Sequence, residues 1–182
     1  DIAQQNNIRY QTESIVKGLL DFKSEKYSLA LEQLKSIPLT AKNYSTKSIY
    51  HHYLVNNTLG QIYTEQKQYD IALEYYQKAL RSNCPTFVDT LDLYALPVDA
   101  SPFRMDYLIE ILKNKAATLK AMNTPQSLNA AFETLEVAMY YSDKMRSDFV
   151  FEETKVRLYQ NTKELYQDAI EVAYQLHQTT NK

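Results

Sequence analysis

Apolar residues in this chain recur three and four positions apart, the period that gathers them on one face of a helix. Ile8, Ile15, Leu19 and Phe22 form such a stripe and predict a first helix over about 3–23. A second, over about 27–37, ends before Pro38, which has no N–H for the next helical hydrogen bond. Tyr50, Leu54, Leu59, Ile62 and Tyr63 mark a third over about 44–66, and a fourth over about 70–82 stops near Asn83-Cys84-Pro85. From Cys84 to about Ser101 the helical period is lost, with Pro85, Pro97 and Pro102 in or beside the stretch. It is longer than an ordinary inter-helix turn, so it is either a packed loop or a mobile insertion.

A fifth helix over about 103–121 carries Tyr107, Ile111, Leu112, Ala116 and Leu119. The sixth opens at Thr124-Pro125, a capping side chain followed by a residue suited to the first turn. It runs to about 145 through Leu128, Ala131, Phe132, Leu135, Ala138 and Met139. The seventh, over about 148–178, contains no Gly or Pro, and its stripe passes through Tyr159, Thr162, Tyr166, Ala169, Ala173 and Leu176. So long a helix leaves room for a kink near Asn161-Thr162.

The pattern also repeats. Gly18, Tyr27, Ala30 and Leu34 align with Gly60, Tyr69, Ala72 and Tyr76, each pair 42 residues apart, and the text from Glu25 to Leu31 resembles that from Lys67 to Leu73. Ala131, Leu135 and Ala138 repeat the spacing of Ala72, Tyr76 and Ala79. Small residues such as Gly60 and Ala72 mark places where two helices cross closely, since a large side chain would force the axes apart. Tyr63 and Tyr76 fill the space beside those crossings, and Tyr69 plugs the end of the pair. One pair cannot bury its apolar stripe alone, so about three or more must stack.

Composition narrows the alternatives. Two glycines and five prolines leave β-hairpins without their usual connectors, whereas tyrosine is abundant at 16. Lys+Arg total 20 and Asp+Glu 22, a net charge of −2 with mixed signs, which argues against a nucleic-acid partner and reads as solvated helix faces. Cys84 is the one cysteine, so no internal disulfide forms. No stretch approaches the roughly 18 apolar residues of a membrane span. The start, Asp1-Ile2-Ala3-Gln4-Gln5, lacks the regions of a signal peptide and a Met, so a processed or excised piece is expected. The compartment stays open, with the cytoplasm preferred.

Leu59-Gly60, Tyr63, Ala72, Tyr76 and Ala79 resemble a tetratricopeptide repeat, with Asn56 in place of the usual Trp and Cys84 where the closing Pro stands, Pro85 coming one residue late. The resemblance implies an all-α fold, a right-handed superhelix of stacked antiparallel helix pairs (an α-solenoid of about seven helices). On that reading 1–182 is a single array: degenerate repeats at 3–37 and 103–145, the best repeat at 44–83, an irregular insertion at 84–102 and a long terminal helix at 148–178. The segments 107–116, 131–138, 151–155 and 165–171 are similar to the repeat region preceding CHAT peptidase domains, caspase-like modules of bacterial proteins. That likeness implies a sensing or docking array, a fragment ending mid-array at Asn181-Lys182, with the His/Cys dyad in a separate downstream domain.

Candidate chemistry is sparse. A cysteine nucleophile needs a neighbouring base, but Cys84, His51, His52 and His177 form no recognisable motif, and Cys84 reads as a small, partly buried substitute for proline. His51-His52 point about 100° apart on a helix and do not converge on a metal, which favours a surface or rim role. Glu152-Glu153 lie near Lys155 and Arg157, suggesting helix-face ion pairs. Tyrosine-rich stripes could stack bases, but no basic groove accompanies them. No metal, cofactor or catalytic residue is expected.

The expected function is protein–protein interaction. Asn57, Gln61 and Thr64 should turn away from the second helix of their pair and line a concave groove, with Lys113 and Lys120 at matching positions in the next pair. The amides would meet an extended peptide and the lysines an acidic group. The alternatives are a groove that is merely solvated or covered by the seventh helix, a homodimer through an exposed array end, and an enzyme with an unrecognised helical site.

Overall fold

The structure is a computed structural model that describes residues 2–39, 46–87, 92–148 and 152–180, with side chains over 10–39, 48–87, 92–147 and 162–180. It contains helices α1 (Ile2–Lys23), α2 (Tyr27–Lys35), α3 (Thr46–Glu65), α4 (Tyr69–Asn83), α5 (Met105–Met122), α6 (Pro125–Asp148) and α7 (Glu152–Thr180). Among the described residues none lies in a strand. The contacts divide the chain into two units, Asp1–Ser82 and Asn83–Lys182. Antiparallel helix pairs typical of a tetratricopeptide-like α-solenoid build each unit, and no described helix is long and apolar enough to cross a membrane.

In the first unit the 42-residue period is reproduced bond for bond. At the α1–α2 turn Ser24 N donates to Leu20 O (3.0 Å), Glu25 N to Phe22 O (2.9 Å) and Lys26 N to Asp21 O (2.9 Å). At the α3–α4 turn Gln66 N, Lys67 N and Gln68 N donate to Ile62, Thr64 and Tyr63 carbonyls at 3.0, 2.9 and 2.9 Å. The residue that reverses the chain is left-handed in both, Glu25 and Lys67 at φ 59°. These bonds satisfy carbonyls that a helix end otherwise leaves without partners.

Helix crossing repeats as well. A Cβ placed on Gly18 would lie 2.7 Å from Leu34 Cδ2, and one on Gly60 would lie 2.5 Å from Tyr76 Cε1. Both are shorter than a van der Waals contact, so a methyl would have to displace a rigid ring at Gly60 and a flexible alkyl side chain at Gly18. Ile15, Ala30, Leu34, Ile37, Val55, Leu59 and Ile62 form the core, with Leu19, Phe22 and Tyr27 against it. Each large side chain so buried contributes about 1.5–3 kcal/mol. Ile8 lies outside the described side chains. Tyr50, expected on the buried stripe, is 41 % exposed, while Tyr53 and Val55 are buried instead.

In the second unit α5 packs on α6 and α6 on α7. Leu108, Ile111, Leu112 and Leu119 of α5 meet a core that includes Leu128, Ala131, Leu135 and Ala138 of α6. Asn123, left-handed at φ 54°, ends α5, and Thr124 caps α6: Ser127 N donates to Thr124 Oγ1 (3.1 Å) and Thr124 N to Ser127 Oγ (3.0 Å). Helix α7 runs unbroken through Asn161-Thr162, where the Thr162 and Ser142 hydroxyls are hydrogen-bonded at 2.7 Å. Its buried stripe is Thr162, Leu165, Ala169 and Val172. Tyr166 and Ala173, expected on it, are exposed, because each lies one position, about 100° round the helix, from the buried Leu165 and Val172. Tyr159 lies outside the described side chains.

Candidate functional site

The five groove residues lie on two helices, Asn57, Gln61 and Thr64 on α3 and Lys113 and Lys120 on α5. Their environments differ from an open groove in three respects. Asn57 is 4 % exposed, so its amide does not face solvent. Thr64 turns toward the second helix of its pair: its hydroxyl donates to Gly60 O (2.9 Å) and lies 3.4 Å from the Tyr76 hydroxyl on α4. A residue one turn beyond Gly60 follows that glycine's face, which explains the correction. Gln61 is half-buried.

Both lysines are ion-paired. Lys113 Nζ lies 2.5 Å from Glu164 Oε2, and Lys120 Nζ 2.7 Å from Glu171 Oε2. The partners step seven residues along both helices, two turns each, so α5 and α7 run parallel in register. The lysines therefore meet carboxylates of α7 rather than standing free for an acidic ligand, as the expectation had them. Lys113 donates to Glu164 and lowers its affinity for a proton below that of an ordinary glutamate.

The reactive side chains are disposed for packing. Cys84 is fully buried, and burial pushes its thiol up to about 12, so it is protonated and a poor nucleophile. His51 is 7 % exposed, not a surface residue as expected, and its ring lies 6.4 Å from that of Tyr50. Among the described residues no group of three or more His, Cys, Asp and Glu could hold a metal ion. The Glu152-Glu153 pairing lies outside the described side chains. Two rings of the α3–α4 pair are occupied: Tyr63 and Tyr75 stack at 5.5 Å and 6°, with Lys35 over the first ring and Lys78 over the second. Rings already covered on both sides give a nucleobase no platform.

The insertion after α4 is a packed strap over its described part, residues 92–102. Asn83 clamps its far end, donating from Nδ2 to Arg104 O (2.8 Å) and accepting from Arg104 N (3.1 Å), while Phe103 N donates to Asn83 O (2.8 Å). The Tyr141 hydroxyl lies 3.0 Å from Pro97 O and 2.9 Å from Ala100 O. Lys115, fully buried in the apolar stripe of α5, donates to Ala95 O at 2.9 Å. Burial pushes its amine down to about 7, against a smaller opposing pull from Asp92. Sequence reading passed over Lys115 and Tyr141, although both sit in register with the buried stripes, Lys115 between Ile111 and Leu119 and Tyr141 three residues after Ala138.

Comparison with known proteins bears on the first unit. The tetratricopeptide repeat family matches residues 55–83, the α3–α4 pair that crosses at Gly60. No curated protein and no solved structure matches the chain.

Proposed function

We propose that this chain is a non-enzymatic protein-interaction scaffold, a docking or regulatory array of helix pairs that holds another protein or a peptide. The observation that carries the reading is the tetratricopeptide repeat at 55–83, whose helix pair is closed by a small-residue crossing at Gly60. Gln61 is the groove residue we assign to an extended backbone, because a carboxamide can both donate to and accept from a peptide group. Lys113 and Lys120 would contribute where an acidic partner displaces Glu164 and Glu171. The net charge of −2 favours a protein over a nucleic acid. The protonated, buried thiol of Cys84 speaks against a cysteine hydrolase.

Panning a displayed random-peptide library on the chain tests the groove. Selected peptides should lose at least about tenfold in affinity on Gln61→Arg and retain it on Gln178→Arg, a change at an exposed α7 residue. Equal affinity for both variants rejects the assignment, and a library yielding no binder rejects peptide docking. Turnover in a peptidase and esterase screen that disappears with Cys84→Ala would replace the scaffold reading by a catalytic one.

The likeness of 107–116, 131–138, 151–155 and 165–171 to the repeats before CHAT peptidase domains supports a place in a larger bacterial protein of that kind. The gene sequence past Lys182 tests it: further repeats and a His/Cys domain support it, and a stop codon removes it. A second reading is a homodimer through the array end. Tyr166, Ile170 and Tyr174, four residues apart on α7, are 48 %, 70 % and 63 % exposed and form an apolar face. Sedimentation over a concentration series should then show a dimer that Ile170→Glu dissolves; a monomer throughout rejects it.

A further inference from the structure

The strap over residues 92–102 is held on the second unit at three places by different chemistry. Asn83 clamps the end at Phe103 and Arg104 through groups that do not titrate near neutral pH. Tyr141 holds the middle through the carbonyls of Pro97 and Ala100. The near end, where Ala95 N donates to Asp92 O (3.2 Å) and Tyr94 N to Asp92 Oδ1 (2.8 Å), is held from below by the amine of Lys115. A fully buried lysine facing a neutral carbonyl is an unequal arrangement. An uncharged amine makes that hydrogen bond and fits its apolar neighbours Ile111, Leu112 and Leu119, whereas an ammonium there gives up most of its hydration.

We propose that this strap is a proton-governed clasp: its near end rests on α5 while Lys115 is uncharged and lifts away, carrying the amine to water, when Lys115 takes up a proton. Other charged groups around the site leave that role to Lys115. On the strap, Asp92 is the carboxylate that acts on the amine and partly offsets the cost of the charge. Asp99 acts instead on Tyr141. On α5, Asp106 is bound by Arg104, and Lys113 and Lys120 pair with α7, while Glu110 is exposed. On α6, Glu133 accepts from Asn129 and Glu136 is exposed, and at the end of α4 Cys84 holds its proton.

The sign follows from linkage. With the strap closed the amine titrates at about 7, and in water at its ordinary 10.5, so the open form binds the proton more tightly. Opening is therefore favoured as pH falls from 10.5 toward 7 and levels off below that, where both forms are protonated.

Native-state hydrogen exchange, corrected for intrinsic rates, reads this directly. The opening constant reported by Tyr94 and Ala95 should rise about thirtyfold between pH 8.5 and pH 6, while that of Phe103, behind the Asn83 clamp, stays within about threefold. Lys115→Met should abolish the rise. Asp92→Asn, a change at an exposed position that keeps the lysine, should move the levelling-off to lower pH by removing the charge that favours the ammonium. The proposal is overturned if the near-end opening constant is flat or falls toward pH 6, if Phe103 opens in parallel, or if Asp92→Asn leaves the profile unmoved.

Discussion

Gly60→Ala sets two known effects against each other. Alanine is the better helix former by about 1 kcal/mol in a helix interior, so on propensity alone the change stabilises α3. The new methyl, however, would sit 2.5, 2.7 and 2.9 Å from Cε1, Cζ and Cδ1 of Tyr76. Contacts between carbons settle near 3.5–4.0 Å, so the ring would have to retreat by roughly 1 Å. It has nowhere to go: Tyr76 is 1 % exposed, and its hydroxyl is tied to Thr64 at 3.4 Å. Overpacking costs about 1–3 kcal/mol, and three rigid ring atoms put this case in the upper part of that range, leaving a net loss of about 1–2 kcal/mol. Position 18 is an internal control, because a methyl there meets Leu34, an alkyl side chain that can change rotamer, and Gly18→Ala should come out within about 1 kcal/mol of zero. Tyr76→Leu in the Gly60→Ala background copies the first pair's solution and should recover about 1 kcal/mol relative to additivity. Urea denaturation followed by far-UV circular dichroism measures the wild type, the three single variants and the double variant. Stabilisation by Gly60→Ala, with no coupling to Tyr76→Leu, would refute the close-crossing argument.

Three further outcomes are expected. Lys67→Gly and Glu25→Gly, at the two residues held at φ 59°, should each raise stability by about 0.5–1 kcal/mol in the same assay, since glycine adopts that conformation without strain. Tyr141→Phe should cost about 1–3 kcal/mol by leaving the Pro97 and Ala100 carbonyls without their donor, and should speed exchange in the middle of the strap. The Glu164 carboxyl should titrate below an ordinary glutamate by carbon NMR and return to the ordinary value in Lys113→Met; any stabilisation from the pair is present at neutral pH and is lost as pH falls through that depressed value.

The chain's local code is strong enough to read directly. Helical period, the halt before Pro38, the Thr124-Pro125 start and the 42-residue recurrence all rest on interactions within a few residues, and each appears in the structure where the sequence predicts it. The crossing points followed too, because a glycine in a helix interior costs stability and has few reasons to be there except close approach. The long seventh helix shows where such reading weakens. Its apolar residues cover more than one face, and choosing Tyr166 and Ala173 over Leu165 and Val172 amounts to an error of one position, which on a helix is about 100°.

What the sequence determined by itself, then, is the set of helices, their pairing and the repeat that the α3–α4 pair represents. What only tertiary structure decided is which polar groups are spent internally. Lys113 and Lys120 look like free cations until α7 lies alongside α5 with two glutamates in register. Lys115 stands in register with the buried stripe of α5, but its partner there, the Ala95 carbonyl, comes from a strap some twenty residues earlier. Periodicity reports the face a residue occupies, whereas the partner on that face is supplied by distant chain, and it is the partner that sets charge, exposure and chemistry.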